Sequence, residues 1–329
     1  MKKILLSLVT LFAAATSAFA GDIITNGGFE SWTDGACDGW KSTTSVSNCK
    51  ITQSADAHSG NSSVQIPEGT KNTRLGSKEY RLKAGTYTMK AYVKGAGSVS
   101  IGYVPIANYV LLNYVYILEK VPTKADGWTE VTKEFTLDKD TKVNFVLMNA
   151  KKTGVKLVDD FSVTTEDGGL AEEPTAFAAE GEGTLENPYN SVAANKAALE
   201  LASGTTATSE VYVKGIVHVI NYTYSAKSLS FLISPDGTDN GAFYCFKVTS
   251  DEDPGLKEGD LVVLSGKLTN FKGTPEFAAG AKIVSITTGI STIAAEANKA
   301  QVIYGLDGRR LTKAVRGVNI INGKKVIVK

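Results

Sequence analysis

Between Ser62 and Thr164 no apolar run lasts long; each soon ends at Gly, Asn, Asp or Lys, with Val, Ile, Thr and Tyr alternating with polar residues inside it. The runs are Ser62 to Ile66, Lys78 to Leu82, Thr86 to Val93, Val99 to Val104, Tyr109 to Leu118, Thr129 to Leu137, Lys142 to Met148 and Lys156 to Thr164. Alternation of this kind in short segments is the pattern of strands with one buried face. Many such strands in succession predict two sheets packed face to face, a β-sandwich or jelly roll. Upstream, Ile24-Thr25-Asn26-Gly27-Gly28-Phe29-Glu30-Ser31-Trp32 reads as an extended pair entering a tight turn, where Gly supplies positive φ angles. Lys156-Leu157-Val158-Asp159-Asp160-Phe161-Ser162-Val163 reads as a strand with two adjacent carboxylates. These two stretches are expected to be the first and last strands of one sandwich spanning residues 21–165.

Residues 1–20 read as a secretory signal peptide: Lys2 and Lys3, an apolar stretch from Ile4 to Ala15, and the small-x-small site Ala18-Phe19-Ala20. The apolar stretch is short for a bilayer span, and no later one reaches the roughly 20 apolar residues required. The full chain has 35 Lys plus Arg against 34 Asp plus Glu, so the mature chain is near neutral. That argues against dependence on bulk attraction to nucleic acid or anionic membrane. Export permits disulfides, and Cys37 and Cys49, which flank Asp38-Gly39-Trp40, are expected to bridge. Such a staple is worth about 3 kcal/mol in the chain-entropy model. Cys245, left over in Phe243-Tyr244-Cys245-Phe246, reads as a buried thiol.

In order along the chain stand Asn26-Gly27-Gly28-Phe29-Glu30, Gly39-Trp40, Ala57-His58-Ser59-Gly60, Leu82-Lys83-Ala84-Gly85-Thr86-Tyr87, Gly127-Trp128-Thr129-Glu130-Val131 and Val158-Asp159-Asp160-Phe161. This succession resembles the jelly-roll carbohydrate-binding modules attached to many polysaccharide-degrading enzymes. The resemblance implies glycan binding, and a structural calcium between the terminal strands. Glu30, Asp159 and Asp160 with backbone carbonyls are the expected ligands, since calcium takes hard oxygen donors. Strict alternation puts Asp159 on the face of Leu157, Phe161 and Val163, where a carboxylate is costly unless paired or metal-bound. The alternative is that Asp159 sits at a wet strand end and hydrogen-bonds a turn.

Sugar recognition calls for flat aromatics with polar neighbours. The candidates are Tyr103, Tyr109, Tyr114 and Tyr116, with Tyr114 and Tyr116 on one face of one strand, and Trp32 in its turn. The alternative for the tyrosines is packing at a sheet edge with the hydroxyls in water. Trp40 and Trp128 are assigned to the core.

Residues 166–183, rich in Gly, Ala and Glu around Pro174, read as a linker. An Ala-rich helix from Ser191 to Leu201, capped by Ser191, opens a second domain over 184–288. Strands are expected at Glu210 to Ile220, Ser228 to Ser234, Ala242 to Val248, Asp260 to Leu268 and Lys282 to Thr287. Val211-Tyr212-Val213-Lys214-Gly215-Ile216-Val217 and Gly259-Asp260-Leu261-Val262-Val263-Leu264-Ser265-Gly266-Lys267-Leu268, then Thr274-Pro275-Glu276, resemble OB-like modules of Bacteroidetes surface proteins. Nucleic-acid binding is disfavoured: Lys214, Lys227, Lys247 and Lys272 are scattered among Tyr222, Tyr224, Phe231 and Tyr244, and Asp251-Glu252-Asp253 opposes them.

Over 289–329, Asp307-Gly308 and Asn322-Gly323 mark two hairpins. Val302-Ile303-Tyr304-Gly305-Leu306-Asp307-Gly308-Arg309, Gly317-Val318-Asn319-Ile320-Ile321 and the basic end Gly323 to Lys329 resemble the C-terminal sorting domains of the Bacteroidetes type IX secretion route. That implies engagement of the secretion machinery and delivery to the outer-membrane surface or beyond. Asn319 stands where that family more often has Tyr, and the alternative is a small β-cap.

The mature chain holds only His58 and His218, so a Ser-His-Asp centre is barely available, and no His/Cys cluster has zinc spacing. Asp159 and Asp160, adjacent on one strand, do not suit a glycosidase pair. The sequence therefore reads as an all-β, non-catalytic surface protein that binds a poly- or oligosaccharide. The rival reading is an adhesin or assembly protein that binds a protein partner.

Overall fold

The computed structural model describes residues 21–42 and 44–288, and beyond them only the strand backbones at Ile303–Gly305, Arg310–Leu311, Gly317–Ile321 and Lys324–Val328. The expected signal peptide lies outside the described residues. The chain divides into two compact units, 1–175 and 176–329. Among the described residues no helix is long and apolar enough to cross a membrane.

The first unit is the expected sandwich. In chain order it comprises β1 (Trp32–Thr33), β2 (Ala36–Cys37), β3 (Trp40–Lys41), β4 (Thr52–Ser54), β5 (Ser63–Ile66), β6 (Thr73–Leu82), β7 (Gly85–Lys94) and β8 (Gly97–Ala107). Then come β9 (Val110–Leu111), β10 (Val115–Thr123), β11 (Thr129–Leu137), β12 (Thr141–Asn149) and β13 (Lys156–Thr165). One sheet has the order β10-β8-β12-β6-β3, with β9 paired to β8; the other has the order β11-β7-β13-β5-β4. Phe29, Leu75, Tyr87, Met89, Phe145 and Phe161 fill the space between them. Fully burying an apolar side chain of this size contributes about 1.5–3 kcal/mol, so this layer holds the sheets together.

The N-terminal stretch does meet the last strand, although not as a regular strand itself. Ile23 N donates to Val163 O and Phe161 N to Gly27 O. A Cβ on Gly27 would stand 1.9 Å from Phe161 O, so the contact requires glycine there. Two expectations fail here. The run from Tyr109 to Leu118 is interrupted between β9 and β10. Alternation along β13 is broken by a bulge between Asp159 and Ser162, with Asp160 at φ 45°. Val158 is in the core before the bulge and Phe161 and Val163 after it, so Asp159 does not share their face.

The second unit contains β14 (Tyr189–Asn190), α1 (Ser191–Leu199), β15 (Val211–Ser225), β16 (Ser228–Ser234), β17 (Phe243–Thr249), β18 (Leu261–Gly266), β19 (Leu268–Phe271), β20 (Thr274–Phe277) and β21 (Lys282–Thr287). Strands β15, β16, β17, β21 and β18 close a five-strand barrel, and the hairpin β19–β20 extends from β17. Phe231, Phe243, Cys245 and Phe277 pack its interior with Ala194 and Ala198 of α1. The helix cap is Asn190, one residue before the expected Ser191; its side chain accepts from Ala193 N. The expected strand from Asp260 to Leu268 ends at Gly266, where a Cβ would press on Ala281 and Phe277.

The segment expected as linker is tied at both ends. Lys83 N donates to Gly169 O and Ala171 N to Arg81 O in the first unit, while Glu182 and Gly183 N–H groups reach Asn187 O in the second. In the tail, β22 (Ile303–Gly305) pairs with β23 (Arg310–Leu311) and with β24 (Gly317–Ile321), which pairs with β25 (Lys324–Val328), all antiparallel.

Candidate functional site

On the outer face of the six-stranded sheet lies a pocket of about 480 Å³. It is lined by Lys41 on β3, Glu79 on β6, Lys142 on β12 and Ile106 on β8, together with Tyr109 and the segment Thr44–Val46. Tyr109, half exposed at 50%, precedes the short β9, which folds back on β8 through Ile106↔Leu111 and Ala107↔Val110. Glu79 is held between Lys41 at 3.2 Å and Lys142 at 3.7 Å, and Lys142 also reaches Glu173 at 2.9 Å. An exposed aromatic ring beside a carboxylate and two ammonium groups gives an apolar face together with acceptors and donors. That combination suits a ligand built of hydroxyls on a flat carbon frame.

Tyr114 and Tyr116 stand beside this pocket, stacked with ring centroids 5.9 Å apart. Their outer surfaces are already engaged. Tyr114 donates to Ser45 O, Tyr116 accepts from Arg74 Nε, and both rings pack on the buried group Val46, Val104 and Val146. Tyr103 turns the other way, 5.2 Å from the Phe135 ring and against the main core. Trp32 is half-buried, its indole N–H donating to Phe29 O. Of the five aromatic candidates, the structure brings only Tyr109 to the pocket. Lys41, Glu79 and Lys142 carry no sequence signal of their own; register across three strands brings them together.

The expected calcium ligands fall into two groups. Glu30 and Asp160 both approach Gly28: a Cβ there would stand 3.8 Å from Asp160 Oδ1 and 4.0 Å from Glu30 Cγ. Glu30 Oε1 accepts the N–H groups of Asn61 and Ser62. Asp159 is fully buried and hydrogen-bonds the 58–59 turn, accepting from His58 N, Ser59 N and Asp160 N. Burial pushes its carboxyl pKa up, and these donors pull it back. Asp160 meets His58 Nδ1 at 2.6 Å and Ser59 Oγ at 2.8 Å. Among the described residues no three His, Cys, Asp or Glu side chains gather as a metal-ligand group.

Two further expectations are corrected. Trp128 is not in the core; it stands half-buried with its ring 5.7 Å from His58, which stacks on Tyr92 at 3.7 Å. Cys37 and Cys49 are buried but unbridged. Each sulfur has its own partner, Asn26 Nδ2 for Cys37 and Arg74 O for Cys49. Desolvation pushes the Cys37 thiol up to about 12. Cys245 lies in the barrel interior as expected.

Residues 21–152 match a family described as carbohydrate binding domain. Among solved structures, the CBM22-1 xylan-binding domain from Paenibacillus barcinonensis Xyn10C is similar at 13% identity and a TM-score of 0.35, over 45% of this chain and 96% of that one. A family 16 carbohydrate-binding module is similar at 19% identity and a TM-score of 0.33, over 43% of this chain and 98% of that one. No curated protein matches the chain. The match identifies a non-catalytic domain, and no catalytic domain is found alongside it. The family match falls on the N-terminal sandwich, and a small five-strand barrel follows it.

Proposed function

We propose that this is a secreted, surface-associated, non-catalytic protein that binds a poly- or oligosaccharide in the pocket beside Tyr109. One observation carries the reading: within a domain matching a carbohydrate-binding family, the open pocket pairs an exposed tyrosine with Glu79, Lys41 and Lys142. Stacking of a pyranose on the Tyr109 ring would supply apolar contact, while the charged groups exchange their mutual ion pairs for bonds to hydroxyls. Calcium is part of the proposal, held by Glu30 and Asp160 with backbone carbonyls at the join of the terminal strands. The leader-like start and the tail's likeness to sorting domains support an encounter with the type IX secretion machinery.

The test is retention of the chain on plant, host and microbial polysaccharides, with calcium and with chelator. Retention by one class, lost in Tyr109→Ala, supports the reading. Retention by none, or retention unchanged in Tyr109→Ala, overturns it. A melting temperature unmoved by chelator removes calcium from the proposal.

A further inference from the structure

The first residue of β13 is a lysine on the core side. Lys156 shares its face with Val158 and is fully buried. An ammonium in such a place is costly unless other groups meet its charge. Its Nζ donates to Ala96 O and Thr153 O at 2.6 Å each, and stands 3.4 Å from Thr153 Oγ1 and from Gly154 O. All four of these oxygens are neutral. Ala96 lies in the turn between β7 and β8, and Thr153 and Gly154 lie in the turn between β12 and β13.

The two turns meet backbone to backbone. A Cβ on Gly95 would collide with Val155 O, and one on Gly97 with Thr153. Buried Asn149 fixes the second turn: its Nδ2 donates to Gly154 O at 3.0 Å, and its Oδ1 accepts from Thr153 Oγ1 at 3.1 Å. The Thr153 hydroxyl therefore keeps a lone pair for Lys156. Three carbonyls converge on one point with their negative ends together, an arrangement that favours a cation at the centre. The charge of Glu68 favours one there as well.

We propose that these oxygens form a monovalent-cation site that the chain fills with its own lysine ammonium, locking the two turns together without a metal ion. The donor set fits this class. Neutral carbonyl and hydroxyl oxygens suit potassium or ammonium, whereas divalent ions are held mainly through carboxylates. The lysine stem brings the charge in from the strand itself, so no ion has to be recruited. This site shares no residue with the pocket beside Tyr109 or with Glu30 and Asp160, and does not rest on either.

The test follows thermal unfolding of the full chain by tryptophan fluorescence. That signal reports the sandwich alone, because all three tryptophans, Trp32, Trp40 and Trp128, lie in the first unit. Wild type, Lys156→Ala and Lys156→Met are compared in the chlorides of potassium, ammonium and tetramethylammonium at equal ionic strength, with calcium held constant. The deficit of each variant against wild type is read within each salt, which cancels general salt effects. For Lys156→Ala it should be about 5 °C or more in tetramethylammonium, which is too large for the cage. It should shrink by half or more in potassium or ammonium. For Lys156→Met it should stay the same in all three salts, because the methionine side chain fills the space. A Lys156→Ala deficit that is absent, or equal in all three salts, or that shrinks equally in Lys156→Met, overturns the proposal. A second measurement needs no variant to fold. In wild type at neutral pH, a nitrogen-edited proton spectrum should show one lysine ammonium whose protons exchange slowly and cross-relax with Ala96 and Thr153. Absence of that signal overturns the proposal too.

Discussion

The Arg74 guanidinium lies over the ring of Tyr114, 4.5 Å from its centroid. The same side chain donates from Nε to the Tyr116 hydroxyl, and Ser47 Oγ donates to the Arg74 carbonyl. Arg74 thus ties two tyrosines to the segment carrying Val46, which lines the pocket. Its neighbours therefore divide by role.

Tyr109→Ala should leave the melting temperature unchanged and weaken glycan retention about tenfold, the loss of about 1.4 kcal/mol of contact. Tyr114→Ala should lower stability by about 1–2 kcal/mol through lost stacking and the cation–π contact. Denaturant titration and affinity electrophoresis on the same two variants separate these effects.

Glu79→Gln tests the charged lining. The Glu79 side chain is 44% exposed and its ion pairs are surface pairs, so their loss should cost under about 1 kcal/mol. Glycan affinity should fall several-fold, because the carboxylate would no longer accept from ligand hydroxyls. A stability loss without any affinity loss would assign Glu79 to the scaffold alone.

The thiols give a direct count. The chain has three cysteines, all buried and unbridged, and burial pushes the Cys37 thiol up to about 12. Native protein should resist alkylation at mildly alkaline pH, and protein unfolded without reductant should take up label at all three. Uptake at Cys245 alone would reveal a Cys37–Cys49 bridge.

Glu276 gives stability a defined pH dependence. Its carboxyl pKa is raised from 4.5 to about 7 in the folded chain, so the folded state holds this proton more tightly than the unfolded state. Its contribution is fully present below 4.5 and is lost as pH rises through about 7, to a total of about 3 kcal/mol. Glu276→Gln should flatten that decline, which denaturant unfolding at mildly acidic and mildly alkaline pH will measure.

The sandwich was legible because its strands carry their own alternation and their own turn residues; Thr129–Leu137 emerges with the expected bounds. The bulge at Asp160 was not, because one residue at positive φ reverses the parity of everything after it without altering the composition. Tyr109 could be suspected as an aromatic beside an Asn turn, but its companions Glu79 and Lys142 are brought close only by register between β6 and β12. Trp128 follows Gly127 in a pattern that looks like a core strand start. Its partner His58 lies far away in sequence, so its half-exposed place could not be read locally.

The position of β13 has a practical corollary. This last strand of the sandwich is not at an edge; it lies between β7 and β5 and also anchors the N-terminal stretch. The family match ends at residue 152, before β13 begins. A fragment cut at 152 would leave β7 and β5 with unpaired edges in mid-sheet, open to pairing with other chains. During synthesis the same gap keeps the sheet unfinished until Thr165 has emerged, so the sandwich can close only after nearly all of its own sequence is available.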